Sequence, residues 1–134
     1  MRINYCVHCF AEITPDIQQC PYCGVVIQEW ARSLDYETRL IHTLDHPLAA
    51  VRMRAIIALG KRGDCQAADS LVRCALRHPV DVVEGLEIVD SLRGLRSGRE
   101  RRTALDCLAR GHPAHAVRQA AADALAAITD EKTR

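Results

Sequence analysis

The 134-residue chain is 49% hydrophobic and 26% charged, carries a net charge of +1, and has no apolar run near the roughly 18 residues that a membrane-crossing helix needs. This balance excludes a largely disordered chain and a membrane span, and it gives no whole-molecule attraction to polyanions, so any contact with nucleic acid must come from a local patch. Seven cysteines, an odd number, and a start with no charged stretch leading into an apolar one predict a cytoplasmic protein whose thiols are metal ligands or buried side chains.

The first predicted element is a cysteine module. In "CVHCFAEITPDIQQCPYC", Cys6, Cys9, Cys20 and Cys23 form two Cys-x-x-Cys pairs. Each pair makes a tight knuckle that turns two sulfurs toward one point. Four thiolates satisfy the tetrahedral preference of a structural Zn2+ and leave no open position for catalysis. A redox dithiol would need one pair and leave the other unexplained, and a rubredoxin-like iron site usually spans a longer loop. Thr14-Pro15-Asp16 reads as the turn of a short hairpin that brings the second pair across. In the second knuckle Pro21 pre-sets a backbone angle and Gly24 can take a positive φ, whereas the first has Phe10 in that place, which predicts a less relaxed turn. His8 reads as a solvent-facing turn residue. A segment under ~40 residues buries too little apolar surface to fold alone, so metal binding supplies its folding energy. Residues 3–24 resemble the short zinc ribbons at the N-termini of many bacterial proteins, and the module is placed at 1–28.

From 33 to 134 the pattern becomes a helical repeat. "HPLAAVRMRAIIALGKRGD" (46–64), "HPVDVVEGLEIVDSLRGLR" (78–96) and "HPAHAVRQAAADALAAITD" (112–130) recur at spacings typical of helical arrays. Val51, Ala55, Ala58 and Leu59, and likewise Val117, Ala121, Ala124, Leu125 and Ile128, form the stripe of an amphipathic helix. Before each of these B helices lies an A helix: Tyr36, Leu40, Ile41 and Leu44 in the first unit, Ala68, Leu71, Val72, Ala75 and Leu76 in the second, Ala104, Cys107 and Leu108 in the third. Asp64 is placed as the cap of the second A helix, and the proline of each His-Pro pair as the first residue of a B helix. The fold class is therefore mainly α: a short α-solenoid of three helical hairpins, about 34–64, 65–96 and 97–130, preceded by a small ribbon hairpin.

The unit "DHPLAAVRMRAIIALGKRGD" resembles the HEAT-like repeats named after phycobilisome lyases, whose pattern runs Asp, Val-Arg, Ala, Ala-Leu-Gly and Gly-Asp. The third unit has Ala126 for the glycine and Thr129 before Asp130. The middle unit departs most, with Arg77 in place of the Asp, Glu84 in place of the Arg and no Ala-Leu-Gly, which predicts a shifted or irregular B helix. The resemblance covers roughly 34–130 and implies an extended surface that binds other macromolecules.

The remaining residues are read plainly. Cys107 sits on the apolar stripe as a small core residue. Cys65 follows Asp64 at a helix start, where a thiol can become reactive, but no partner is identifiable. Cys74 is unassigned. His46, His78 and His112 are turn residues, since equivalent positions of stacked repeats lie about 10 Å apart and cannot share an ion. Arg52, Glu84 and Arg118 read as an exposed inter-repeat charge ladder worth at most ~1 kcal/mol per pair, against a ligand-facing row. Asp81, Glu84, Glu87 and Asp90 read as a solvated face. With no catalytic constellation in the sequence, the expected function is a non-enzymatic protein-interaction or scaffold module with a structural zinc ribbon. Lys61, Arg62, Arg93, Arg96, Arg99, Arg101 and Arg102 fall on the edge opposite the His-Pro turns, where the ribbon is also expected to emerge. That edge suits an acidic protein. A nucleic-acid-associated adaptor is the alternative, and a bilin lyase-like activity a minor one that rests on the repeat family's name alone.

Overall fold

A computed structural model describes residues 4–132. Strands β1 (Asn4–Tyr5) and β2 (Glu12–Ile13) pair antiparallel, with Asn4 opposite Ile13 and Tyr5 opposite Glu12. Helices follow: α1 (Ile27–Ser33), α2 (Tyr36–Thr43), α3 (Ala49–Arg62), α4 (Ala68–Arg77), α5 (Val82–Arg93), α6 (Gly98–Gly111) and α7 (His115–Lys132). The chain is mainly α, with the small hairpin ahead of the helical region. Helices α2 and α3, α4 and α5, and α6 and α7 pack as three hairpins. Helices α3, α5 and α7 adjoin in one layer, and α4 adjoins α6 in the other.

Apolar residues at helical spacing put one face of each helix from α2 to α7 into a shared core. Ile56, Leu59, Leu71, Leu92, Leu105 and Val117 are completely buried in it, and each such side chain stabilises the fold by about 1.5–3 kcal/mol. Two glycines set how closely the B helices approach. A Cβ on Gly60 would lie 2.7 Å from Ser91 Oγ, and one on Gly85 would lie 2.7 Å from Val117 Cγ2. Ser91 uses this proximity to donate its hydroxyl to Ile56 O at 2.7 Å, which satisfies a buried polar group across the helix pair.

Several sequence expectations are corrected. The prolines do not begin the B helices: α3 and α7 start two residues after Pro47 and Pro113. Their entry is shaped by the preceding histidine, because His46 Nδ1 accepts the Leu48 N–H and His112 Nδ1 accepts the Ala114 N–H, each at 3.0 Å. Helix α5 is regular, but it starts one residue later relative to its His-Pro pair, and Asp81 caps it by accepting the Glu84 N–H at 3.0 Å. Asp64 does not cap α4. A 3-10 turn, Cys65–Ala67, intervenes, and the Asp64 carboxylate instead accepts from Arg62 Nε at 3.1 Å. The predicted hairpin turn is also relocated: β1 and β2 flank the first knuckle, while Thr14 O accepts the Ile17 N–H in the turn that leads on to the second.

The largest correction concerns the position of the cysteine module. Helix α1, whose Ile27, Trp30 and Ala31 form a short, half-buried apolar stripe with no fully buried residue, spans the predicted junction. The module then lies against the end of α2 and the His46-Pro47 turn rather than on the basic edge. Tyr5 meets the His46 ring edge-on at 4.8 Å, Phe10 stacks on His42 at 4.9 Å, Trp30 lies 4.9 Å from His42, and His42 Nε2 donates to His8 O at 2.7 Å. The equivalent of His46 in the third hairpin, His112, donates through Nε2 to Ala75 O of the hairpin before it at 3.2 Å. Among the described residues His46 has no helical hairpin before it. Its ring meets Tyr5 and Phe10 instead, so the module stands where a preceding repeat would.

Candidate metal centre and the turn network

The two knuckles have the same backbone plan. Cys6 O accepts the Phe10 N–H and Cys20 O accepts the Gly24 N–H, both at 2.9 Å, while the Cys6 and Cys20 N–H groups donate to Ala11 O and Val25 O. The His8 and Tyr22 amides point at Cys6 Sγ and Cys20 Sγ, each at 3.4 Å. Residue Phe10 has φ 61° and Gly24 has φ 79°. The left-handed conformation is natural for glycine and costs another residue about 1–2 kcal/mol. Phe10 gains in return the packing of its ring on His42 and His46.

This plan brings the four predicted ligands together. Cys6 Sγ lies 3.7 Å from Cys23 Sγ, Cys9 Sγ lies 3.7 Å from Cys20 Sγ, and all four sulfurs fall within 4.8 Å of one another. A tetrahedral ion with metal–sulfur bonds of ~2.3 Å requires sulfurs roughly 3.8 Å apart, so the donor set and its spacing fit a metal. At Cys9 the Ala11 amide favours the thiolate, but burial and the thiols of Cys20, Cys23 and Cys6 outweigh it and push the group up to about 12. At Cys20 burial opposes the thiolate, yet the Cys23 and Tyr22 amides and the thiols of Cys6 and Cys23 bring it down to about 6. The thiols thus compete for the anionic form, and a cation is what allows all four to hold it. His8 is exposed, as expected, and enters through its carbonyl, which accepts from His42.

Arg52, Glu84 and Arg118 are not an exposed ladder. Arg52 and Glu84 are buried, 5% and 1% exposed, and paired through Nε and Oε1 at 2.6 Å. A guanidinium nitrogen of Arg52 also donates to His46 O at 2.8 Å and Pro47 O at 3.1 Å; Arg118 repeats the arrangement on His112 O at 2.7 Å and Pro113 O at 2.8 Å. The arginine six residues after each histidine therefore holds its own turn from below. The constant His-Pro-x4-Arg spacing was the sequence signal for this, in the first and third units. Glu84 also leaves the supposed solvated face, where Asp90 is the one exposed acid of the four, Asp81 and Glu87 being half-buried. Cys74 is buried, with Sγ 3.7 Å from both Leu44 O and Glu84 Oε1, and burial followed by the Glu84 charge pushes its thiol up to about 12.

On the opposite edge, the Arg96 N–H donates to Gly63 O at 3.0 Å and joins the α3–α4 connection to the α5–α6 connection. Lys61, Arg96 and Arg99 are exposed there. Of the other predicted cations, Arg62 pairs with Asp64 at 3.1 Å and Arg93 with Asp90 at 3.6 Å, while the half-buried Arg101 donates to Leu95 O at 3.3 Å; Arg102 is also half-buried. Cys107 is exposed rather than in the core, because its side of α6 faces an open groove of about 620 Å³ between α4 and α6, lined also by Cys65, Asp69, Arg99 and Thr103. Cys65 is half-buried and its sulfur accepts the Ser97 N–H at 3.0 Å.

Searches against protein-family models, curated proteins and solved structures found no match to this chain. No helix among the described residues is long and apolar enough to cross a membrane.

Proposed function

We propose that the chain is a non-enzymatic interaction module: a short solenoid of HEAT-like hairpins capped at its first hairpin by a zinc ribbon, with one structural Zn2+ held by Cys6, Cys9, Cys20 and Cys23. The all-sulfur donor set supports zinc, because thiolates match its softness and four of them close its coordination sphere. The partner is an acidic protein, and its site is the edge opposite the His-Pro turns. The observation that carries this reading is the bond from the Arg96 amide to Gly63 O, which draws two inter-hairpin connections side by side and leaves Lys61, Arg96 and Arg99 exposed along them. Stacked hairpins present such edges as continuous surfaces.

The test is capture of partners from native extract by the full chain and by the variant K61E/R96E/R99E. The native chain retains a protein at low ionic strength and releases it as salt rises, whereas the variant retains none. Equal capture by both rejects this edge as the site. A captured species destroyed by nuclease rather than protease supports the nucleic-acid adaptor in its place, with the steep salt dependence of counterion release.

A further inference from the structure

The middle His-Pro turn lacks what its two counterparts have. Beneath the first and third turns lies a guanidinium, from Arg52 and Arg118, bound to the carbonyls of the turn. The corresponding residue of the middle unit is Glu84, and an anionic group now takes the place of a cation. Two further donors converge on it. Cys74 Sγ, His78 Nδ1 and a Glu84 carboxylate oxygen all lie within 4.8 Å of one another. Cys74 is 0% and Glu84 1% exposed. Glu84 Oε1 is held by Arg52, but Oε2 is buried and has no hydrogen-bond partner, and it faces His78 Nδ1 at 3.5 Å. A role for Cys74 and His78 as mere filling explains the burial of Cys74 but leaves that oxygen without a hydrogen bond, a costly state for a buried charged group.

The spacing suits an ion. His78 Nδ1 is 3.5 Å from Glu84 Oε2, and one ligand atom from each of Cys74, His78 and Glu84 lies within 4.8 Å of the other two. Thiolate, imidazole and carboxylate ligands at their usual 2.0–2.3 Å from one zinc stand roughly 3.3–3.8 Å apart. We propose that Cys74, His78 and Glu84 form a second zinc site, separate from the four-cysteine centre. Three protein ligands leave the fourth tetrahedral position to water, as in zinc sites that bind or activate a small molecule. Glu84 binds through Oε2 while Oε1 keeps Arg52, which orients the carboxylate from outside the coordination sphere. On binding, Cys74 gives up its thiol proton to solvent. His78, whose Nδ1 now contacts Cys74 O at 3.0 Å, breaks that contact, carries its proton on Nε2 and offers the Nδ1 lone pair to the ion. With Arg52 still paired to the same carboxylate, thiolate and carboxylate leave the zinc-bound site with a net positive charge, the sign that Arg52 and Arg118 give the other turns.

The probe is Co2+, titrated into the full chain after loading with a single equivalent of zinc, which the four-cysteine centre takes up first, and likewise into the variants His78→Asn and Cys74→Ala, with far-ultraviolet circular dichroism recorded alongside. The native chain gains visible cobalt bands and a sulfur-to-cobalt charge-transfer band that saturate at one added ion per chain. In each variant the apparent affinity falls on the order of 100-fold or more, since even the loss of an outer partner of a metal site costs 10–100-fold. His78 is partly exposed, so His78→Asn decides the matter should Cys74→Ala fail to fold. No cobalt bands in the native chain, or bands unchanged in His78→Asn, overturns the proposal.

Discussion

In the cysteine module Cys6, Ile13 and Cys20 are the buried apolar residues, with Ile17, Val25 and Ile27 packed on them, whereas the helical stack has a continuous core running from Leu44 to Ile128. Two of those three module residues are thiols aimed at a common point, so the module's interior is a coordination centre rather than an oily one. The stack's core is closed by apolar side chains packed on one another. What joins the two regions is neither core but a seam of rings, in which Tyr5, Phe10 and Trp30 meet His42 and His46. The chain thus gathers four thiols at metal-ligand spacing where it is too short to bury surface and uses apolar packing where it is long enough, and the seam of rings sets the small region against the large one.

The largest effect that separates the two regions is expected from Arg52→Ala. It leaves the Glu84 carboxylate buried without its partner, and such a break costs about 3–5 kcal/mol. Urea unfolding followed by helical circular dichroism should show this loss while the four-cysteine centre keeps its metal. Arg118→Ala, which removes only the bonds to the His112 and Pro113 carbonyls, should cost less, about 1–3 kcal/mol. Equal costs would mean that the pair with Glu84 contributes nothing beyond the turn bonds.

A smaller effect is expected at the seam. Burial, and after it the Arg52 charge, lowers the His46 pKa below its ordinary 6.5. The unfolded chain therefore takes up this proton more readily than the folded one, so stability is level above about 6.5 and declines as pH falls below it toward the folded value. His46→Gln should flatten that part of the stability profile measured by thermal unfolding between mildly acidic and neutral pH. An unchanged slope would assign the pH dependence to other groups.

The cysteine centre and the helical hairpins were legible in the sequence, because ligand spacing and the 3.6-residue stripe each map directly onto geometry. Burial of charge was not. Arg52 and Glu84 occupy ordinary charged positions in the pattern, and their burial follows from the arginine reaching back under its own turn, a contact that periodicity does not encode. Cys107 shares a stripe with Ala104 and Leu108, yet it lies at the rim, where α6 faces the groove instead of a neighbour. Helix α1 has only seven residues, and its stripe of Ile27, Trp30 and Ala31 is a single turn long, too short to stand out as a helix in the sequence. The basic edge was found from topology, but how many of its cations are already bonded within the molecule depended on side-chain placement.

The central claim, that a metal orders the module while the stack stands on its own core, is tested most directly by stripping the full chain with a strong chelator and recording two signals together. Trp30, the one tryptophan of the chain, lies at the seam beside His42 and His8 and reports on the module, while far-ultraviolet circular dichroism reports on the helices. The account predicts that chelation releases one tightly held zinc from the four-cysteine centre and shifts the Trp30 fluorescence toward that of an exposed indole. Most helical signal should remain, and added Zn2+ should restore the fluorescence. A chain that yields no metal and keeps its Trp30 signal, or one whose helices melt together with the module, would contradict it.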